Sequence, residues 1–152
     1  MRKLTLNVMG LTLMVMTFTM CNSQPAAVPS TPNDALEELI AGNERYATEN
    51  CLNPRSDKDR VEETAPHQAP FAAVVGCSDS RVPVELLFDQ GIGDIFVIRT
   101  AGNNVNSEMV MGSVDYAIEH LNVKVLLVLG HGACGGVTGA ISEGEEGHGN
   151  LG

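Results

Sequence analysis

Positive charge is scarce in this sequence. Its 152 residues include 9 Lys or Arg against 19 Asp or Glu, a formal net charge of -10. Two of those cations, Arg2 and Lys3, lie in a first stretch of twenty residues that has no acid; without it, 7 positive charges face 19 negative ones. The Lys/Arg clusters that bind backbone phosphates are missing, which excludes nucleic acid and an anionic membrane surface as electrostatic partners. Cysteine is sparse as well. Cys21, Cys51, Cys77 and Cys134 are too few and too far apart for a disulfide-stapled miniprotein. No apolar run reaches the roughly 20 residues of a bilayer-spanning helix, and no internal repeat is visible. An apolar share of 43% excludes a disordered acidic tail. The chain beyond the N-terminal stretch is long enough for one domain, since domains commonly run about 100–150 residues.

The N-terminal stretch reads as an address. Met1-Arg2-Lys3 is a short basic region, and Leu4 to Met20 is mostly Leu, Met, Val, Thr and Phe, with no basic stop-transfer flank. Cys21 follows at once, then Asn22-Ser23-Gln24 and a Pro/Ala/Ser/Thr stretch up to Pro32. This resembles a bacterial lipoprotein signal, in which the cysteine is acylated and becomes the mature N-terminus; ordinary cleavage after Ala26 or Ala27 is the alternative. Residues 1–20 are therefore expected to be a signal, 21–32 a linker, and 33–152 the folded domain. The expected location is exported, either periplasmic or anchored to a membrane through a lipidated Cys21.

From Pro32 onward the pattern alternates between helix and strand. Asn33 or Asp34 can cap a helix with Leu36, Leu39, Ile40 and Tyr46 at helical spacing. Residues 49–69 are polar and read as a surface connection. Phe71–Gly76 and Asp94–Arg99 have strand length, and Pro83–Phe88 suggests a helical turn with proline at its first position. Ser107–Leu121 carries Met109, Val110, Val114, Ala117, Ile118 and Leu121, the pattern of an amphipathic helix. Val123–Leu129 is almost wholly apolar, as expected of a strand buried on both faces. Such alternation predicts an α/β fold, a mostly parallel β-sheet with flanking helices joined by right-handed crossovers.

Chemistry-bearing residues follow two of the predicted strands. Cys77-Ser78-Asp79-Ser80-Arg81 comes after the first, and His131-Gly132-Ala133-Cys134-Gly135-Gly136 after the third. In an open α/β sheet ligands bind beyond the strand carboxyl ends, so Cys77, His131 and Cys134 can meet there. Two thiolates and an imidazole form a donor set suited to zinc, and three protein ligands leave the open fourth position of a catalytic site. Cys134 can also open a helix whose terminus favours its thiolate. Taken singly, the cysteines read as small buried apolar residues or a disulfide pair, and His131 as a polar turn residue. The joint pattern favours the metal. Gly130, Gly132 and Gly135 also satisfy the dinucleotide fingerprint after a strand, but no further strand with an acidic residue about twenty positions on follows.

The two loops together resemble the paired signature of the β-class carbonic anhydrases. The likeness runs from Gly42-Asn43-Glu44-Arg45-Tyr46, through Arg99-Thr100-Ala101-Gly102-Asn103, to Gly136. It implies a zinc ion held by Cys77, His131 and Cys134, and reversible hydration of carbon dioxide to bicarbonate and a proton. It further implies that Asp79 is either a fourth zinc ligand in a resting form or the salt-bridge partner of Arg81 in an active one. Gln68, nine residues before Cys77, matches a glutamine that hydrogen-bonds substrate. A homodimer or higher homo-oligomer is also implied. The sequence departs from the family at Thr100-Ala101-Gly102-Asn103, where many members carry Asn-Val-Ala-Asn, which alters the apolar wall of the substrate pocket. Members also continue with further helices and a strand beyond the position of Gly152, so the domain is expected to be incomplete at its C-terminus. That expectation makes a non-catalytic zinc-binding paralogue the alternative function. Cys51, His67, His120 and His148, and the acidic run Glu143 to Glu146, carry no assigned chemistry.

Overall fold

The computed structural model describes residues 28–143. The expected signal, Cys21 and His148 lie outside them. Helix α1 spans Pro32–Ala47 and is started by Thr31, not by Asn33 or Asp34. The Thr31 hydroxyl accepts from the Asp34 N–H, and the Asp34 carboxylate accepts from the Thr31 N–H. This reciprocal box satisfies two amides that a helix start otherwise leaves unpaired. The buried stripe of α1 is Ala35, Leu39 and Gly42, while Leu36, Ile40 and Tyr46 are exposed. Gly42 is required by contact: a Cβ there would stand 1.8 Å from the Phe88 carbonyl oxygen.

The polar connection contains a short helix, α2 (Lys58–Thr64), capped by Asp57. Two buried carboxylates pin this connection down. Asp89 accepts from the Leu52 and Asn53 amides and from the Arg45 guanidinium at 2.6 Å. Asp94 binds Arg55 at 2.7 Å and also accepts from Gly91 N–H. Charges this buried persist only because each is paired and hydrogen-bonded.

Strand β1 (Ala72–Cys77) is central, with β2 (Ile95–Thr100) and β3 (Val125–Leu129) parallel on either side, in the order β2-β1-β3. Helix α3 (Val84–Leu87) follows β1, with Pro83 as its cap and not its first residue. Helix α4 (Glu108–Asp115), capped by Ser107, continues through a wide turn at Tyr116–His120 in which Leu121 N–H reaches back to Tyr116 O. Helix α5 (Gly135–Glu143) follows β3.

The core lies on both faces of β1. On one face Ala72, Val74, Leu127 and Leu129 pack with Leu39, Val84 and Phe88 of α1 and its neighbours; on the other Val75 and Ile98 pack with Val114 of α4. Strand β3 departs from expectation, because Leu126 and Val128 on its second face are 41% and 58% exposed. The reason is placement: the α4 side of the sheet is covered over β1 and β2 only, among the described residues. No helix of the described residues is long and apolar enough to cross a membrane.

Candidate metal centre

All three parallel strands end on the same side, which gathers loops that are distant in sequence. Cys77 closes β1, and Ser78 N–H still donates to Thr100 O at 2.9 Å, so the chain leaves the sheet tied to β2. His131 and Cys134 lie in the turn between β3 and α5, and Thr138 N–H bonds to Cys134 O as the first turn of α5. The donor atoms of Cys77, His131 and Cys134 lie within 4.8 Å of one another. Both cysteines are buried.

The sulfur of Cys77 sits among donors. The Asp79 N–H points at it from 3.4 Å and the Gly102 N–H from 3.3 Å. Gly102 has φ +65, the left-handed region in which glycine is unstrained, and this aims its amide at the sulfur. The Asp79 amide, then His131, and then the Gly102 amide draw the Cys77 pKa down to about 6. The effect is to favour the thiolate, the form that binds metal.

His131 is prepared from its other side. Its Nδ1 lies 3.0 Å from Gly132 O, so Nδ1–H donates to that carbonyl and Nε2 keeps its lone pair. Nε2 is buried and has no hydrogen-bond partner. The neighbouring Cys77 sulfur is the main cause that raises the His131 pKa above its ordinary value. A buried nitrogen seldom goes without a partner, and one whose lone pair lies beside two sulfurs has the character of a metal ligand. The sulfur spacing agrees: two thiolates at about 2.3 Å from a tetrahedral zinc stand about 3.8 Å apart, and Cys77 Sγ to Cys134 Sγ is 3.8 Å. The residues therefore fit zinc.

Asp79 is paired with Arg81. Arg81 Nε donates to Oδ1 at 2.9 Å and Nη2 to Oδ2 at 2.7 Å, a two-pronged grip completed by the Arg81 N–H to Oδ1 at 2.9 Å. That grip holds the Asp79 carboxyl well below the usual carboxylate range. Asp79 Oδ2 is 3.8 Å from His131 Nε2, beside the donor cluster but not in it. Arg81 Nη2 also donates to Ala133 O at 3.1 Å, so one side chain joins both ligand loops.

Gln68 is not brought to this cluster within one chain. It is exposed and precedes β1, whereas Cys77 ends that strand; the six-residue strand alone spans about 17 Å at about 3.3 Å per residue. Cys51, His67 and His120 also lie apart from the cluster. Three contacts at the site are not foreseen by residue type: the Gly102 amide, the Ala133 carbonyl, and Arg99, which donates to backbone oxygens of the Cys77 loop. Their one signal is position: Arg99 at the end of β2, Gly102 directly after it and Ala133 inside the His131 turn, and the two backbone groups leave little trace in the identity of a residue. A cavity of about 390 Å³ lies nearby between Thr100, Gly102, Val110 and Val137, and none of the three donors lines it. Donor chemistry, not hollow space, locates the site.

A parallel α/β sheet with two cysteines and a histidine gathered at its strand ends defines an α/β protein with a candidate metal site where such folds bind ligands. A family model described as carbonic anhydrase matches residues 72–152, and the chain belongs to that family. It is 44% identical over 116 residues to carbonic anhydrase 2 of Mycobacterium tuberculosis, covering 76% of this chain and 56% of that one. It is 43% identical over 118 residues to a carbonic anhydrase of Mycolicibacterium smegmatis, covering 78% and 57%. Among solved structures it is similar to a β-carbonic anhydrase of Aspergillus fumigatus, with a TM-score of 0.55 and 30% identity over 76% of this chain and 54% of that one. It is likewise similar to one of two tetrameric β-carbonic anhydrases from Sordaria macrospora, with a TM-score of 0.55, 32% identity, and coverage of 78% and 59%. The chain thus spans little more than half the length of these relatives.

Proposed function

We propose that this chain catalyses the reversible hydration of carbon dioxide to bicarbonate and a proton, with zinc held by Cys77, His131 and Cys134. The observation that carries the reading is the buried, unpaired His131 Nε2 beside two sulfurs 3.8 Å apart. The chemistry zinc supplies when bound is Lewis-acid activation of water at neutral pH. The protein does the rest. The Gly102 and Asp79 amides hold Cys77 as thiolate, and the Gly132 carbonyl fixes the imidazole tautomer. Arg81 keeps Asp79 ionised and turned aside from the three donors, which would leave room beside them for water and substrate. Asp79 Oδ2, 3.8 Å from His131 Nε2, is placed where it would accept a hydrogen bond from a water beside the donors and orient it toward substrate.

The test is metal content together with hydration kinetics. Purified protein should carry about one zinc per chain, and Cys134→Ser should lose most of it, because a neutral hydroxyl is a poor zinc ligand. Stopped-flow hydration should track zinc content. Zinc at full occupancy with no hydration would leave a metal-binding, non-catalytic chain as the better reading.

For Gln68 to reach substrate, a second copy must present it, since its own Cys77 is at the other end of β1. This reading makes the working unit a homo-oligomer. Mixing inactive Gln68→Ala chains with inactive Cys77→Ser chains should restore part of the activity if the site is shared. We also propose that residues 1–20 direct export and that Cys21 is lipidated. Cys21→Ser should then move the protein from a detergent-soluble fraction to a soluble exported one; a wild type that is already soluble would refute lipidation.

A further inference from the structure

Arg99 stands on β2, in register with Gly76, one residue before the strand end. It is exposed. A cation there would ordinarily face water or a carboxylate, and among the described residues it pairs with neither Asp nor Glu. Instead its Nε donates to Cys77 O at 2.9 Å and its Nη2 to Asp79 O at 2.6 Å. The guanidinium therefore spans the turn between the first metal donor and the carboxylate beside it, gripping the backbone at both ends. Charge-assisted bonds to two carbonyls of one turn fix its orientation as a planar fork can and a single point charge cannot.

This turn has two outcomes open to Asp79. With the Asp79 peptide as observed, the carboxylate faces Arg81, which holds it by two side-chain bonds and one backbone bond. Oδ2 is nonetheless only 3.8 Å from His131 Nε2, so a modest rotation of the Asp79 peptide would carry an anionic oxygen onto the metal. Arg81 resists this from the side-chain end. From the backbone end the Asp79 peptide is held by Val82 N–H, which donates to Asp79 O at 3.0 Å, and by Arg99, the side chain that ties this same carbonyl to that of Cys77 and so to the end of β1.

We infer that Arg99 is a positioning residue of the metal centre: by holding the Cys77 and Asp79 carbonyls, it keeps the Asp79 carboxylate on Arg81 and the fourth metal position open. The inference rests on the zinc reading above. It assigns Arg99 no contact with substrate.

The experiment substitutes cobalt(II) for zinc and titrates azide, following visible absorption. An open fourth position takes the anion and shifts the spectrum; a position closed by Asp79 does not. Wild type should bind azide, and Arg99→Lys should bind it several-fold more weakly. In Arg99→Ala most cobalt sites should be closed, with apparent azide affinity reduced at least tenfold. The double variant Arg99→Ala with Asp79→Asn should recover azide binding, since no carboxylate remains to close the site. A purely structural Arg99 would lower the melting temperature and cobalt content, leave the retained sites binding azide as in wild type, and show no recovery in the double variant; that result overturns the inference. If Arg99→Ala does not fold, Arg99→Gln, which keeps a donor for one carbonyl, takes its place with the same criteria. A wild type that holds no cobalt would refute the metal reading itself, an outcome separate from unchanged azide binding in the variant.

Discussion

Cys77 and His131 lean on each other at the scale of single side chains. The Cys77 pKa lies at about 6, because amides of Asp79 and Gly102 and the His131 imidazole favour the thiolate. A thiol acidified by folding stabilises the metal-free chain fully above its ordinary pKa, and that contribution is lost as the pH falls through about 6. The reactivity consequence is direct, since the thiolate is the nucleophile. Alkylation of Cys77 in the metal-free protein, read by peptide mass spectrometry, should rise with pH and level off with a midpoint near 6. A midpoint at the ordinary thiol value would show that the two amides do not act as described. Residue type alone discloses the donors here, because Cys, His and Cys after two apolar strands have few other readings in combination. The amides that tune them cannot be read so, because every residue but proline carries one.

The element scale shows the same division. Strand positions, their parallel arrangement and the helix before β3 are legible, since apolar runs of strand length and a helical period survive in the order of residues. Caps and faces are less so. Asn33 and Asp34 look as good a cap as Thr31 on residue type, and Asp34 does take part, but as the return partner of the box. The exposed face of β3 is hidden because a continuous apolar run looks the same at a sheet edge as at its centre. Close approach of elements is similarly invisible in the order of residues. A Cβ on Gly136, at the start of α5, would lie 2.8 Å from Gly102 N and 3.2 Å from Ala101 C, both backbone atoms that cannot swing away. Gly136→Ala should therefore cost about 1–3 kcal/mol of stability, as overpacking does. It should also push the Gly102 amide off Cys77 and raise the alkylation midpoint above 6. Thermal unfolding and the alkylation profile check the two effects separately. An unchanged melting temperature would mean that α5 shifts freely.

For the molecule as a whole, the site depends on segments that never touch a metal. Asp89 and Asp94 fasten the long connection after α1 to the end of the sheet opposite the donors. Gln68 lies at the end of that same connection, just ahead of β1, so the clamps also govern where it sits and, in the proposed homo-oligomer, where it would be offered to another copy. Nothing in the local sequence around Gln68 reveals at which end of the sheet it falls; that is settled only once the direction of β1 is known.

The 3.8 Å between the two sulfurs has a further meaning in terms of chain topology. Cys77 and Cys134 are 57 residues apart, so an ion bound to both is a removable cross-link that closes a large loop. By the loop-entropy relation used for disulfides, a tie across that many residues disfavours the unfolded chain by up to about 4 kcal/mol. A chelator should then lower the melting temperature by about 10 °C or more, and added zinc should restore it. Cys134→Ser, which opens the loop, should melt at one temperature with or without the chelator. The ion would thus act as a fastener between β1 and β3 as well as the seat of the chemistry.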